Sequence, residues 1–250
     1  MRSPYDDPEL YDALFESFDF DLAYYTALAR RTGGPVLDVG CGTGRLLLRL
    51  ARLGLVVDGW EPSGAMAARL RQKALASGVM PRLFVGALES MPDTPRYGLV
   101  FCAFNAFAHN LTAAAQLGLL RRMRACLVDG GCVAIGAGHP PLAEFASPPQ
   151  EPVLELEVEW PEKQCHLRLF DRRRLDPVAL TQHSEMTVLS LAADGAVIAR
   201  HDSETVLRWT FQPEFELLLH AAGYRGWRIM GGYGGEPRTS DAQPLLVEAW

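Results

Sequence analysis

The run Asp38-Val39-Gly40-Cys41-Gly42-Thr43-Gly44 places a carboxylate directly before a loop with glycine at every second position. Val36 and Leu37 before it form a short apolar run, and Leu46 to Leu53 reads as a helix, so the loop joins a strand to a helix. Glycine is needed where the main chain turns sharply and where a ligand lies against bare backbone. Glu61 closes the next apolar run, 21 positions beyond Gly40. An acid at that point can accept both hydroxyls of a ribose. Asp38 would repel a pyrophosphate, which wants helix dipole and N–H groups, and would attract an ammonium or a sulfonium. The glycines fall as GxGxG and not as the GxGxxG of dinucleotide sites. A nicotinamide-dependent oxidoreductase and a purely structural glycine turn are the competing readings.

A second group of residues could act on a substrate. His109 lies in the segment Ala103-Phe104-Asn105-Ala106-Phe107-Ala108-His109-Asn110, after another apolar run, at the edge of the sheet where ligands bind in open α/β folds. It is a candidate general base, with helix capping or packing as the alternative. Asn105 could orient a substrate or tie down its own loop. Phe104 and Phe107 could wall a pocket or belong to the core. Tyr5 and Tyr11 precede the glycine loop, and a tyrosine face attracts a cation by about 0.5–2 kcal/mol.

The elements that must position these groups alternate. Pro8 to Arg31 reads as one helical stretch, stopped by Gly33-Gly34. Strands are expected at Pro35–Val39, Leu55–Trp60, Leu83–Val85, Leu99–Ala103 and Cys132–Gly136. Helices follow Ser63 to about Ala76 and Thr112 to Leu127. This spacing implies a parallel sheet with helices on both faces. Pro140-Pro141 and Pro148-Pro149 mark a change. From Pro152 to Leu207 apolar and polar residues alternate, with Asp194-Gly195 as a hairpin signal, which predicts three to five antiparallel strands. Pro213 to Ala222 returns to a helix, and Tyr224–Met230 and Leu245–Trp250 close the sheet. The expected organisation is a helical cap over 1–32, a cofactor-binding α/β domain over 33–140, an antiparallel insert over 141–210 and the rest of the α/β domain over 211–250.

Bulk properties narrow the class. The chain has 250 residues, 48% of them hydrophobic, enough for a sizeable core. Its net charge of −6 disfavours nucleic acid as a partner. The five cysteines, Cys41, Cys102, Cys126, Cys132 and Cys165, include no CxxC pair and no zinc spacing. No signal-peptide core or apolar run of membrane-spanning length is present. His139, His166, His183, His201 and His220 show no ligand spacing. A cytoplasmic protein with no metal and no membrane partner is expected.

Asp38 to Gly44 resembles the first motif of the class I S-adenosylmethionine-dependent methyltransferases, and Glu61-Pro62-Ser63 resembles the segment after their second strand. The segment 103–112, the turn Leu127–Gly131 and the stretch from Arg208 to Tyr224 resemble the bacterial small-molecule branch, so the resemblance covers nearly the whole chain. It implies a doubly wound, seven-stranded, mostly parallel Rossmann-like sheet with an antiparallel β insert, acting as a lid or a subunit contact. S-adenosylmethionine would be the cofactor. Asp38 and the loop of Gly40, Cys41, Gly42 and Gly44 would hold its methionine part, Glu61 and Pro62 would meet the ribose, and Met66 would lie near the adenine. Ala87 stands where the family has an aspartate, leaving the backbone of Ala87 and Leu88 to read the adenine. Ala103, Phe104 and Tyr11 would complete the cofactor site. Asn110 replaces a usual leucine, and Gly234-Gly235 falls where relatives often carry an acid.

The resulting expectation is methyl transfer to a small-molecule acceptor, at nitrogen or oxygen rather than carbon, with His109 and Asn105 as catalytic candidates and a homodimer as one use of the insert. A non-catalytic S-adenosylmethionine-binding protein and a protein or RNA methyltransferase are the alternatives. A thermal-shift comparison separates the cofactor classes. S-adenosylhomocysteine is expected to raise the melting temperature, while NAD and NADP leave it unchanged; stabilisation by a dinucleotide alone would reject the reading.

Overall fold

The computed structural model describes residues 2–138, 140–148 and 151–250; His139 and Pro149 of the sequence reading lie outside the described residues. The chain forms two compact units. One comprises Phe18–Pro141 and Thr210–Trp250, the other Met1–Ser17 and Leu142–Trp209.

The larger unit is built on a seven-stranded sheet. Its strands are β1 (Val36–Val39), β2 (Val57–Glu61), β3 (Leu83–Val85), β4 (Tyr97–Cys102), β5 (Leu127–Ala137), β10 (Trp227–Met230) and β11 (Leu245–Ala249), in the order β10-β11-β5-β4-β1-β2-β3. The first five run parallel, and β11 is antiparallel to both neighbours. Central strands β1 and β4 are buried along their whole length, as parallel strands covered on both faces must be. Helices α2 (Leu22–Thr32), α3 (Arg45–Arg52) and α4 (Gly64–Ala76) contribute to the core on one face, through Tyr25, Leu28, Leu47, Leu50 and Leu70. Helices α5 (Ala113–Ala125) and α6 (Gln212–Ala222) supply the other core, with Leu119, Leu120, Met123, Phe215 and Leu219.

Local chemistry sets the helix ends. The hydroxyls of Ser63 and Thr112 accept from the N–H groups of Met66 and Ala115. Pro213 sits in the first turn of α6, and Gly223 ends it in the left-handed conformation.

The smaller unit carries a second sheet, β6 (Val153–Trp160), β7 (Cys165–Asp176), β8 (Thr181–Leu191) and β9 (Val197–Arg208), antiparallel throughout in the order β6-β7-β8-β9. Buried and exposed positions alternate along β7, as a half-covered sheet requires. Helix α1 (Pro8–Phe15) packs Leu10 and Leu14 with Cys165, Leu167, Leu169 and Val188.

The single N-terminal helix read from the sequence is two helices. The chain breaks between α1 and α2, and the segment 1–32 divides between the units. The cause lies in the larger unit. Asp21 is completely buried and meets Arg45, the first residue of α3, in a bidentate pair of 2.7 and 2.6 Å. The carbonyl of Phe18 accepts from Arg45 and Arg49. These bonds hold 18–21 in a non-helical course that an uninterrupted helix could not offer.

Removing one partner of a buried pair strands the other charge, at about 3–5 kcal/mol. Arg45→Ala is therefore expected to lower stability by that amount in chemical denaturation, and Arg49→Ala, whose guanidinium bonds the same Phe18 carbonyl, by less. Equal small losses would mean that the Asp21–Arg45 pair does not hold the segment.

Candidate active site

The glycine loop closes over the carboxyl end of β2. The N–H groups of Gly40 and Cys41 both donate to the carbonyl of Trp60, at 2.8 and 3.1 Å. Gly40 and Gly42 have φ of +74° and +57°, the left-handed region that side chains rarely adopt. A Cβ on Gly40 would lie 2.8 Å from the methyl of Ala106, so the loop after β4 approaches the loop after β1 closely. A Cβ on Gly42 would meet Met66 Cε at an ordinary 3.5 Å, so at Gly42 the protein leaves room and the backbone angle alone demands glycine.

Two acids mark the ends of neighbouring strands. Asp38 is buried, and its carboxyl pKa is pushed up to about 8 by burial. Arg45 opposes that shift, and the charges of Asp21 and Glu61 add to it. Glu61 is also buried and its pKa raised by burial, against two backbone donors. Its Oε2 accepts from Gly42 N–H and its Oε1 from Ser63 N–H, each at 2.8 Å. The carboxylate thus pins the glycine loop to the head of α4. Each oxygen has two lone-pair positions, so one on each remains for a ligand hydroxyl.

The other expected residues are placed as follows. Met66 is buried beside Gly42. Pro62 and Ala87 are exposed, and Leu88 is half-buried. The N–H of Gly86 donates to the Glu61 carbonyl, which brings the segment of Ala87 and Leu88 beside the end of β2. Ala103 is buried at the end of β4. Phe104 and Asn105 follow with φ of +51° and +64°, two left-handed non-glycine residues in succession. Such backbone is costly and concentrates at functional sites. The Asn105 side-chain oxygen accepts from Gly138 N–H and ties this loop to the end of β5. His109 ends the 3-10 turn Ala106–His109 as an exposed side chain. Neighbouring groups dehydrate part of the ring, which lowers its pKa although the side chain keeps contact with solvent. Tyr11 belongs to the smaller unit, where its ring packs with Tyr5 and Phe15 at 5.8 and 4.9 Å.

Several residues at this site escaped the sequence reading. The Arg45 guanidinium lies 5.1 Å from the Phe104 ring and 5.8 Å from Phe20. Phe20, Phe18, Phe104 and Tyr233 form a ring cluster with centroid separations of 5.6 to 6.3 Å. The signal available was Arg45 directly after Gly44, and the Phe-Asp-Phe-Asp run, which is a poor helix interior.

Residues 36–131 match the family model for a methyltransferase domain. The chain is 36% identical over 107 residues to the ribosomal protein L11 methyltransferase of Xylella fastidiosa, covering 41% of this chain and 31% of that protein. The matched stretch therefore spans about a third of that relative's length. It is 25% identical over 256 residues to a cypemycin N-terminal methyltransferase of Streptomyces sp, covering 96% of this chain and 97% of that one. Among solved structures it resembles the CcbJ methyltransferase of Streptomyces caelestis, with 25% identity, a TM-score of 0.74, and 99% of this chain and 97% of that chain covered. The strand order, the glycine loop and the two strand-end acids define a methyltransferase domain. Residues 36–131 carry that domain, and over nearly its whole length the chain is similar to S-adenosylmethionine-dependent methyltransferases.

Asp38 supplies a pH test of the free protein. Its folded pKa, about 8, is above its unfolded value, so its stabilising contribution is complete below about pH 4 and lost as pH rises through 8. Asp38→Asn removes that titration. The stability of the variant minus that of the wild type is expected to grow from pH 5 to pH 8 in urea denaturation; a constant difference would contradict the raised pKa.

Proposed function

We propose that this protein transfers a methyl group from S-adenosylmethionine to an amine nitrogen of a small molecule. The observation that carries this reading is the pair of buried acids, Asp38 and Glu61, at the ends of β1 and β2 on either side of a left-handed glycine loop. The cofactor fits these groups. Its ammonium would take the place of the proton that Asp38 holds in the free protein, its ribose hydroxyls answer the remaining lone pairs of Glu61, and the space beside Gly42 admits a ligand against bare backbone. Met66 and the backbone of Ala87 and Leu88 would meet the adenine, and Cys41, Gly44, Pro62, Ala103 and Phe104 would complete the surround. When bound, S-adenosylmethionine supplies a methyl carbon already activated by the sulfonium.

The chain's own residues then align the acceptor and exclude water. A neutral amine nucleophile needs little base assistance. His109, whose pKa is lowered, would take the proton that the methylated nitrogen releases. Asn105 acts through its bond to Gly138, keeping Phe104 and Ala106 against the glycine loop. Nitrogen is preferred as acceptor because the relative matched along its whole length is named an N-terminal methyltransferase. No helix among the described residues is long and apolar enough to cross a membrane. A cytoplasmic enzyme, with the antiparallel unit serving acceptor binding or a homodimer contact, completes the proposal.

Cofactor binding is tested at Glu61. Losing a buried charge-assisted acceptor weakens a ligand by about 1.5–3 kcal/mol. Calorimetry with S-adenosylhomocysteine is therefore expected to show Glu61→Ala weaker by roughly tenfold to 150-fold, while circular dichroism remains unchanged. Unchanged affinity in a folded variant would reject the placement.

A further inference from the structure

Two aromatic rings at the carboxyl edge of the larger unit have no part in the cofactor site described above. Phe20 is 53% exposed, although the segment that carries it is fixed on both sides. The Phe18 carbonyl accepts from Arg45 and Arg49, and Asp21 pairs with Arg45. An exposed ring on a fixed backbone has already lost much of the freedom that binding would otherwise cost. Its centroid lies 6.3 Å from that of Phe104 and 5.6 Å from that of Tyr233.

Tyr233 belongs to the loop after β10. Strands β10 and β5 are both antiparallel to β11, so this loop leaves the sheet at the same edge as the loops after β1, β2 and β4. A Cβ on Gly136, near the end of β5, would lie 2.7 Å from the Tyr233 hydroxyl. The carbonyl of the same Gly136 accepts from Asn105 N–H at 3.4 Å. Tyr233 and the loop of Phe104 and Asn105 thus converge on one residue, and Ala106 of that loop meets Gly40 of the glycine loop.

The loop after β10 reads Gly231-Gly232-Tyr233-Gly234-Gly235-Glu236, and its glycines make room for one carboxylate. A Cβ on Gly232 would overlap Glu236 Oε1, and one on Gly234 would lie 2.7 Å from Oε2. The carboxylate therefore rests on bare backbone on either side of Tyr233. It is exposed and makes no hydrogen bond or ion pair with another described residue. Arg238, two positions on, donates instead to the carbonyl of Asp241 at 3.3 Å. An unpaired carboxylate and electron-rich ring faces both favour a group that brings N–H donors and positive charge.

We propose that Glu236, Tyr233 and Phe20 form a subsite for an amine-bearing small molecule with an apolar or aromatic body. The carboxylate accepts the N–H bonds of the amine, and the two rings cover the body. Taken with the proposed function, on which this role rests, the occupant is the methyl acceptor and Glu236 selects amines over acids.

The test uses the full chain saturated with S-adenosylhomocysteine. It is titrated with 2-phenylethylamine and, separately, with 3-phenylpropanoate, of similar shape and opposite charge, and followed by NMR. Saturable binding of the amine, roughly tenfold or more tighter than the acid, is expected. Glu236→Gln keeps the shape of the side chain and removes its charge. It should weaken the amine roughly tenfold, abolish the preference over the acid, and leave the melting temperature and S-adenosylhomocysteine affinity unchanged. Phe20→Ala should weaken amine and acid alike, because the lost ring contact does not depend on the ligand's carboxylate or amine. No saturable amine binding, equal binding of amine and acid, or full amine affinity in either variant would overturn the subsite. A lowered melting temperature in Glu236→Gln would mark the carboxylate as a structural partner of its loop and overturn its part in recognition. Failure of S-adenosylhomocysteine to bind the wild type, with the amine preference intact, would overturn the methyltransferase reading and leave the amine subsite standing.

Discussion

Buried carboxyl groups govern the larger unit. Asp21, Asp38 and Glu61 are all withdrawn from water, and the guanidinium that answers them, Arg45, is itself 8% exposed and already paired with Asp21 in a bidentate bond. A buried carboxylate is tolerated only when it is paired, hydrogen-bonded or protonated, and the three acids use the three solutions. Asp21 is paired, Glu61 accepts from two backbone N–H groups, and Asp38 holds its proton up to about pH 8. The glycine loop follows from this arrangement, because Glu61 can reach the Gly42 N–H only if the loop folds back over β2. A site with an excess of buried acid favours a ligand that brings positive charge and hydroxyl donors.

The second constraint is steric. The loops after β1 and β4 meet where Gly40 faces Ala106, and the second loop reaches that position through two left-handed residues, Phe104 and Asn105. Left-handed backbone at a phenylalanine persists only where the surroundings over-determine it. Here the Asn105–Gly138 bond, the Arg45 guanidinium near the Phe104 ring and the neighbouring Phe18 and Phe20 supply that restraint. Rigid strands thus carry loops whose shape is set by contact with each other, a common division between scaffold and function.

The smaller unit handles polarity differently. Its β7 and β8 strands bury Asp171, Gln182 and Ser184 within an otherwise alternating pattern. A network whose donors all point one way ends on an acceptor, and that acceptor keeps an unused oxygen. Hydrophobic periodicity built the sheet, while these polar positions lowered its apolar burial and satisfy one another in all but the Asp171 Oδ1.

Much of this was legible in the residues. The βα alternation, the caps at Ser63 and Thr112, the stop at Gly223 and the switch to period two after Pro152 are local properties, and the strands and helices follow them within a few residues. The glycine loop and its two acids were legible because backbone angle and strand-end position follow from short-range sequence. Tertiary structure decided what depends on distant partners. Arg45 lies 24 positions from Asp21, and their meeting fixes the break in the N-terminal helix at which the segment 1–32 divides between the units. Tyr11 folds with the antiparallel unit because the apolar stripe of Leu10 and Leu14 packs with Leu167 and Val188. The open oxygen of Asp171 is invisible in sequence for the same reason. Alternation says which face a strand residue occupies, but only the packed sheet determines which of its hydrogen bonds are made.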